Sequence, residues 1–349
     1  MRKQPAVNEV ASTRPQCVVV HSQHKSGGTT VEHALQQNPI AWFNISIEQW
    51  RRRANCCLYG KLKYNGTGLW WICDGSFDWN WKLMGCDELP RHRLGYPART
   101  EPRILTQGMV LSAAHRMAWR RPHCRWLTVF REPVARLVSS WRYCHHNAQD
   151  GLCGTRRANA TTNASQMSLT DWAHHWQNWL LRDLLMHPSL APTAILRANR
   201  PLPLKRSMEH EVWEQWKHVL GNTESPLTSS GQANLQDAAA LLRGEASSTT
   251  AGSAPGGVYD VIGMLDQWEI TCAIFDAVVP LRATSWLAAT TGDNLMNRNQ
   301  QLQYSQGHDL VSQAKVNPDI KRLLAADLYL YHDVAVPIFD SQKRLIRAR

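Results

Sequence analysis

Gln16-Cys17-Val18-Val19-Val20-His21-Ser22-Gln23-His24-Lys25-Ser26-Gly27-Gly28-Thr29-Thr30-Val31-Glu32-His33-Ala34-Leu35 is the stretch on which the fold turns. Cys17 to Val20 is a short, continuous, largely β-branched run with turn residues directly after it, the pattern of a buried parallel strand. Ser26 to Thr30 reads as a tight loop, and Val31, Ala34 and Leu35 repeat at helical spacing. The unit is strand, glycine loop, helix. Such a unit aims several backbone N–H groups and the positive end of the helix dipole at one point, where an anion belongs. Gly27 and Gly28 allow the backbone close to phosphate oxygens, Lys25 adds a full charge, and the Thr29 and Thr30 hydroxyls add donors.

Lys25 precedes the glycines, whereas the Walker A pattern places its lysine after the second glycine and just before Ser or Thr, which weakens an ATP reading. Taken alone, the loop also fits an ordinary strand-to-helix turn with an exposed lysine. A second element supports the first: Leu127-Thr128-Val129-Phe130-Arg131-Glu132-Pro133-Val134-Ala135-Arg136-Leu137-Val138-Ser139-Ser140-Trp141-Arg142. Trp126 to Phe130 reads as a strand and Pro133 as a helix start, with Val134, Leu137, Val138 and Trp141 on the apolar face. Arg131 then stands at the carboxyl end of a strand and Ser139 about two turns into the helix, so both face a crevice above the sheet. The plainer alternative pairs Arg131 with a carboxylate and leaves Ser139 to solvent.

Outward from these motifs, residues 42–101 are rich in Trp, Cys and Gly with little periodicity, and a helix is expected over Met109–Trp119. Ser168 caps a helix carrying Leu169, Trp172, Trp176, Trp179, Leu180 and Leu184 on its buried side. Gly221–Gly257, rich in Ser, Thr, Gly, Ala and Pro, reads as a mobile surface insertion with a short helix at Leu235–Leu242. Val258–Met264 is a third strand, followed by a helix through Ile274, and Leu323–Leu345 is an amphipathic helical tail. Strands alternating with helices predict an α/β domain: a parallel sheet flanked by helices on both sides.

The 349 residues, 43% of them hydrophobic, suffice for a large core, and no run is long and apolar enough to span a bilayer. A formal charge of +11 favours anionic partners, but no nucleic-acid motif is present, and basic residues cluster only at Arg51–Arg53. Nine cysteines without paired metal spacing read as disulfides, with an odd thiol left over such as Cys17 or Cys272. Cys144 and Cys153 bracket a short polar loop and are the expected bridge, although sequence alone does not fix connectivity. Glycosylation sequons at Asn44, Asn65, Asn159 and Asn163 fit passage through a secretory lumen.

The two phosphate motifs together resemble the Golgi-type carbohydrate sulfotransferases, which use 3′-phosphoadenosine 5′-phosphosulfate (PAPS), and among them the heparan sulfate 6-O-sulfotransferases. The resemblance runs from about Gln16 to Leu345 and implies a single P-loop-like domain over 15–345 behind a tail at 1–14. It implies that Lys25, Ser26, Gly27, Gly28, Thr29 and Thr30 grip the 5′-phosphosulfate and that Arg131 and Ser139 hold the 3′-phosphate. Supporting matches are Ser168-Leu169-Thr170-Asp171-Trp172, Asn178 with Arg182, Asp260 to Met264, and Asp327-Leu328-Tyr329 with Phe339.

The implied activity is sulfuryl transfer from PAPS to a carbohydrate hydroxyl, without a metal, on an anionic or neutral glycan and not on nucleic acid. The implied location is the Golgi lumen, on a type II anchor absent from this chain. Lys25 stabilises the leaving oxygen, and a base accepts the hydroxyl proton. The family's Gly-His step corresponds here to Gly108-Met109, so His115 is the candidate base, with Glu32, Asp87, Glu88 and His92 behind it. A nucleotide-dependent phosphotransferase with a variant loop and a non-catalytic glycan-binding relative are the rival readings.

Overall fold

The computed structural model describes residues 17–22, 26–42, 103–106, 124–146, 166–185, 187, 190, 229–245, 258–291 and 305–348. A continuous apolar run must bury both its faces, and Val18, Val19 and Val20 do so in β1 (Cys17–Ser22). β1 lies between β2 (Arg103–Thr106) and β3 (Cys124–Phe130), and β4 (Val261–Met264) pairs with the far side of β3. All three pairings are parallel, and the four-stranded sheet runs in the order β2-β1-β3-β4. The chain therefore builds away from β1 in one direction and then returns to build in the other. That reversal places a topological switch point between β1 and β3.

Register assigns the faces. His21 stands beside Thr128, and Thr128 beside Ile262, while Val129 stands beside Gly263. Side chains alternate along a strand, so His21, Thr128 and Ile262 line one face and Val20, Leu127, Val129 and Gly263 the other. The second face is covered by α1 (Gly28–Gln37), α6 (Trp268–Val278) and α7 (Trp286–Thr290), with Thr271 of α6 packed directly on Gly263. The first face receives α4 (Trp179–Leu185), whose Asp183 reaches His21, and behind it α5 (Ser229–Arg243). Helices on both faces of a parallel sheet make the described part an α/β fold.

A second apolar cluster lies beside the first. It joins Val134, Leu137 and Val138 of α2 (Pro133–His146) to Trp172 and Trp176 of α3 (Leu169–Trp176). Val311 and Ala314 of α8 (Ser305–Val316), and Ile320 and Leu323 of α9 (Pro318–Leu323), complete it. Asp327 of α10 (Ala325–Tyr329) ties the clusters together. One of its carboxylate oxygens accepts from Leu181 N at 3.0 Å, and the other from Leu180 N at 3.0 Å and from Arg136 Nη2 at 2.6 Å. The chain closes through a π-helical turn, Leu330–Ala335, into α11 (Val336–Arg347). From α11 the Gln342 side chain accepts from Ile262 N and donates to Asp260 O, so an amide stands in for a neighbour on the open edge of β4.

Several expectations change. The predicted loop Ser26–Thr30 is shorter, because α1 begins at Gly28. The helix expected across Leu169–Leu184 is two helices, broken at Gln177–Asn178, where Asn178 adopts φ 50. The helix placed at Leu235–Leu242 within a surface insertion extends over Ser229–Arg243, and its Leu235, Ala238, Ala239 and Leu242 are buried in the main core. The sequence reading omits β2. The helix expected over 109–119 lies outside the described residues. The Ser168 cap is present as a reciprocal capping box with Asp171. Cys144 is disulfide-bonded and Cys272 is free and buried, whereas Cys153 and the four sequons lie outside the described residues.

Candidate functional site

Ser22 at the end of β1 pairs with Val129 near the end of β3, so the segments that leave these strands start side by side at the carboxyl edge of the sheet. That edge at a switch point is where open α/β sheets take ligands. On the β1 side the chain turns through Ser26 and Gly27, with Gly27 at φ 85, ψ 9 as the N-cap of α1. An L side chain rarely adopts that conformation, and a Cβ there would stand 2.9 Å from Leu265 Cδ1. Gly27 O accepts from Thr30 N at 3.0 Å and Val31 N at 3.2 Å, which closes the first turn.

The first residues of α1 direct their N–H groups out of the helix, and neither a side-chain cap nor a first-turn acid offsets them. Ser26 completes the turn: it is fully buried, and among the described residues its Oγ has no hydrogen-bond partner. A buried hydroxyl without a partner costs about 1–3 kcal/mol. An oxygen-rich ligand on the turn would remove that cost.

On the β3 side Arg131 follows the strand directly and is partly buried. Glu132 turns back on α2, its carboxylate accepting from Val134 N at 3.2 Å and Ala135 N at 2.8 Å, so it serves the helix start. Ser139 is partly buried in the second turn of α2, while its neighbour Ser140 is structural, donating to Leu137 O and accepting from Trp172 Nε1. After β4, a 3-10 turn (Leu265–Gln267) brings Leu265 against the Gly27 turn, and Asp266, the next residue, is exposed. Three strand ends thus converge on one rim.

No family model, curated protein or solved structure matches this chain.

The sequence-derived site residues fall into three groups. Ser26, Gly27, Gly28, Thr30 and Arg131 stand at the carboxyl edge, and Thr29 is placed there by its backbone in the first turn of α1. Ser139 lies one to two turns below the edge. Lys25, His115, Asp87, Glu88 and His92 lie outside the described residues, and Glu32 is placed only by its backbone in α1. Two supporting matches are structural. Arg136 and Asp327 form a buried ion pair, and Asp260 accepts from Trp126 N and pairs with Arg125 at 3.1 Å where β3 and β4 begin.

Sequence reasoning missed the other acid at this rim. Asp266 accepts from Tyr331 Oη at 2.8 Å, and burial with the nearby carboxylates of Asp266 and Glu132 pushes the Tyr331 phenol well up, so it stays a donor. Tyr331 sits in the π-helical turn, a local geometry frequent at functional sites and invisible to apolar periodicity. Among the described residues no group of three or more His, Cys, Asp or Glu is arranged to hold a metal ion. Among those residues, too, no helix is long and apolar enough to cross a membrane.

Proposed function

We propose that the chain is a P-loop-like, single-domain sulfotransferase that moves a sulfuryl group from PAPS to a carbohydrate hydroxyl. One observation carries the reading. The uncapped α1 turn with its orphaned Ser26 Oγ and the Arg131 position leave adjacent parallel strands at one switch point. Two anion-handling positions side by side suit a nucleotide with phosphates at both ends. The 5′-phosphosulfate would meet the turn and Lys25, and the 3′-phosphate would meet Arg131 and Ser139.

In the reaction the acceptor oxygen bonds to sulfur as the bond from sulfur to the bridging oxygen breaks. The electron pair leaves with 3′-phosphoadenosine 5′-phosphate (PAP), and the hydroxyl proton passes to a base. Positioning and charge stabilisation supply most of the rate in such transfers. Asp266, exposed at the same rim, is a carboxylate available for the proton beside the expected His115. The disulfide at Cys144 fits an oxidising compartment such as the Golgi lumen.

The test is a titration of PAP against ATP with magnesium, followed by labelled PAPS with a panel of desulfated glycans. Submicromolar to micromolar PAP binding and label transfer, both abolished by Lys25→Ala, are expected. Tighter binding of ATP would favour a phosphotransferase, and PAP binding without transfer to any glycan a non-catalytic relative.

A further inference from the structure

His21 stands at the carboxyl end of β1, and the proposed reaction does not use its chemistry. It is 3% exposed and occupies the next-to-last position of the strand. Both ring nitrogens are engaged: Nδ1 meets Tyr259 Oη at 2.6 Å, and Nε2 meets Asp183 Oδ2 at 3.2 Å. The Tyr259 ring stacks on the imidazole at 5.7 Å and meets Phe130 edge-on, and Thr128 Oγ1 donates to the His21 carbonyl at 2.7 Å. Burial, with the Asp183 charge behind it, holds the Tyr259 phenol well above its ordinary range. The phenol therefore keeps its proton, and its hydroxyl and the Asp183 carboxylate hold the imidazole from its two ends. His21 thus meets protein partners at both nitrogens.

Its position gives it another use. Asp183 belongs to α4, and the first turn of α4 is held by Asp327, which also holds Arg136 of α2. Arg136 lies five residues after Arg131, and Ser26 five residues after His21. A buried polar belt thus runs from the strand that launches the α1 turn, through α4, to the helix that follows Arg131.

We propose that the Tyr259–His21–Asp183 chain is a positioning device that fixes the end of β1 so that the Ser26–Gly27 turn meets the donor's 5′ group in register with the Arg131 side. Its link to donor binding rests on the sulfotransferase reading; its hold on the turn does not. Tyr259→Phe keeps the ring and removes only the hydroxyl at Nδ1, and Ile274→Val, on the opposite face of the sheet, serves as a control for loss of stability alone. Hydrogen exchange of the 26–31 amides should quicken about five- to tenfold in Tyr259→Phe, the scale of one buried hydrogen bond, and PAP should bind more weakly by about the same factor. Ile274→Val should change neither at its own reduced stability. His21→Asn, which cannot bridge both partners, should exceed Tyr259→Phe in both readouts. Unchanged exchange of the turn in Tyr259→Phe, or an equal change in Ile274→Val, overturns the proposal. If the wild-type chain binds no PAP, the sulfotransferase reading fails, and the exchange experiment still decides the role of the belt.

Discussion

Gly27 and Gly263 show how two glycines in one sheet edge serve different ends. Gly27 is required by conformation, at φ 85 with Leu265 Cδ1 2.9 Å from its would-be Cβ. Gly263 is required by space, since a Cβ there would collide with the Thr271 methyl. Thr271 cannot retreat easily, because its Oγ1 accepts from Met264 N at 2.8 Å and donates to Met264 O at 2.9 Å. Gly263→Ala should therefore lower stability by roughly 1–3 kcal/mol through overpacking, yet leave PAP affinity of the folded fraction unchanged. Gly27→Ala should cost about 1–2 kcal/mol for the left-handed backbone and, in addition, weaken PAP at least tenfold by moving the turn. Urea unfolding paired with calorimetric titration separates the two outcomes. A Gly27→Ala protein with wild-type affinity would remove the turn from the site.

At the scale of elements, legibility followed the range of the signal. β1 and α1 were readable because a β-branched run, a glycine pair and a 3.6-residue repeat are adjacent in sequence. β2 was not, since Arg103-Ile104-Leu105-Thr106 is only four residues long with two apolar ones. The break between α3 and α4 escaped because the apolar pattern continues through Trp176, Trp179 and Leu180, while the helix is interrupted at two polar residues, Gln177 with ψ 143 and Asn178 with φ 50. Asn is the residue that tolerates that region, so a local signal existed. No local signal announces the His21–Tyr259 contact, whose partners are 238 residues apart, or the Asp327 knot. That knot holds a charge pair with side chains 3% and 0% exposed. Asp327→Asn keeps one acceptor oxygen, sets an amide NH2 against a donor at the other position and takes the carboxylate charge from Arg136, and should lose roughly 3–5 kcal/mol in urea unfolding. Adding Arg136→Met should restore part of the loss, because the buried guanidinium that lost its carboxylate is then gone. A double variant as unstable as the sum of the singles would show that the ion pair is not what the knot supplies.

The whole molecule sets two kinds of anion recognition against each other. The formal charge of +11 is spread over the chain, whereas the proposed donor site concentrates helix N–H groups, a buried hydroxyl and Arg131 at one switch point. Exposed charges are screened within about 10 Å at 0.1 M salt, and partly buried ones much less. A sulfated glycan lying along the surface should therefore lose affinity steeply between about 50 and 500 mM salt, while PAP in the crevice should lose far less over the same range. Parallel titrations of PAP and of a heparin-derived oligosaccharide measure both slopes on one protein. Equal slopes would mean that PAP is held by the same diffuse surface charge as the glycan. In that case the adjacency of β1 and β3 would be a feature of the sheet and not of a nucleotide site.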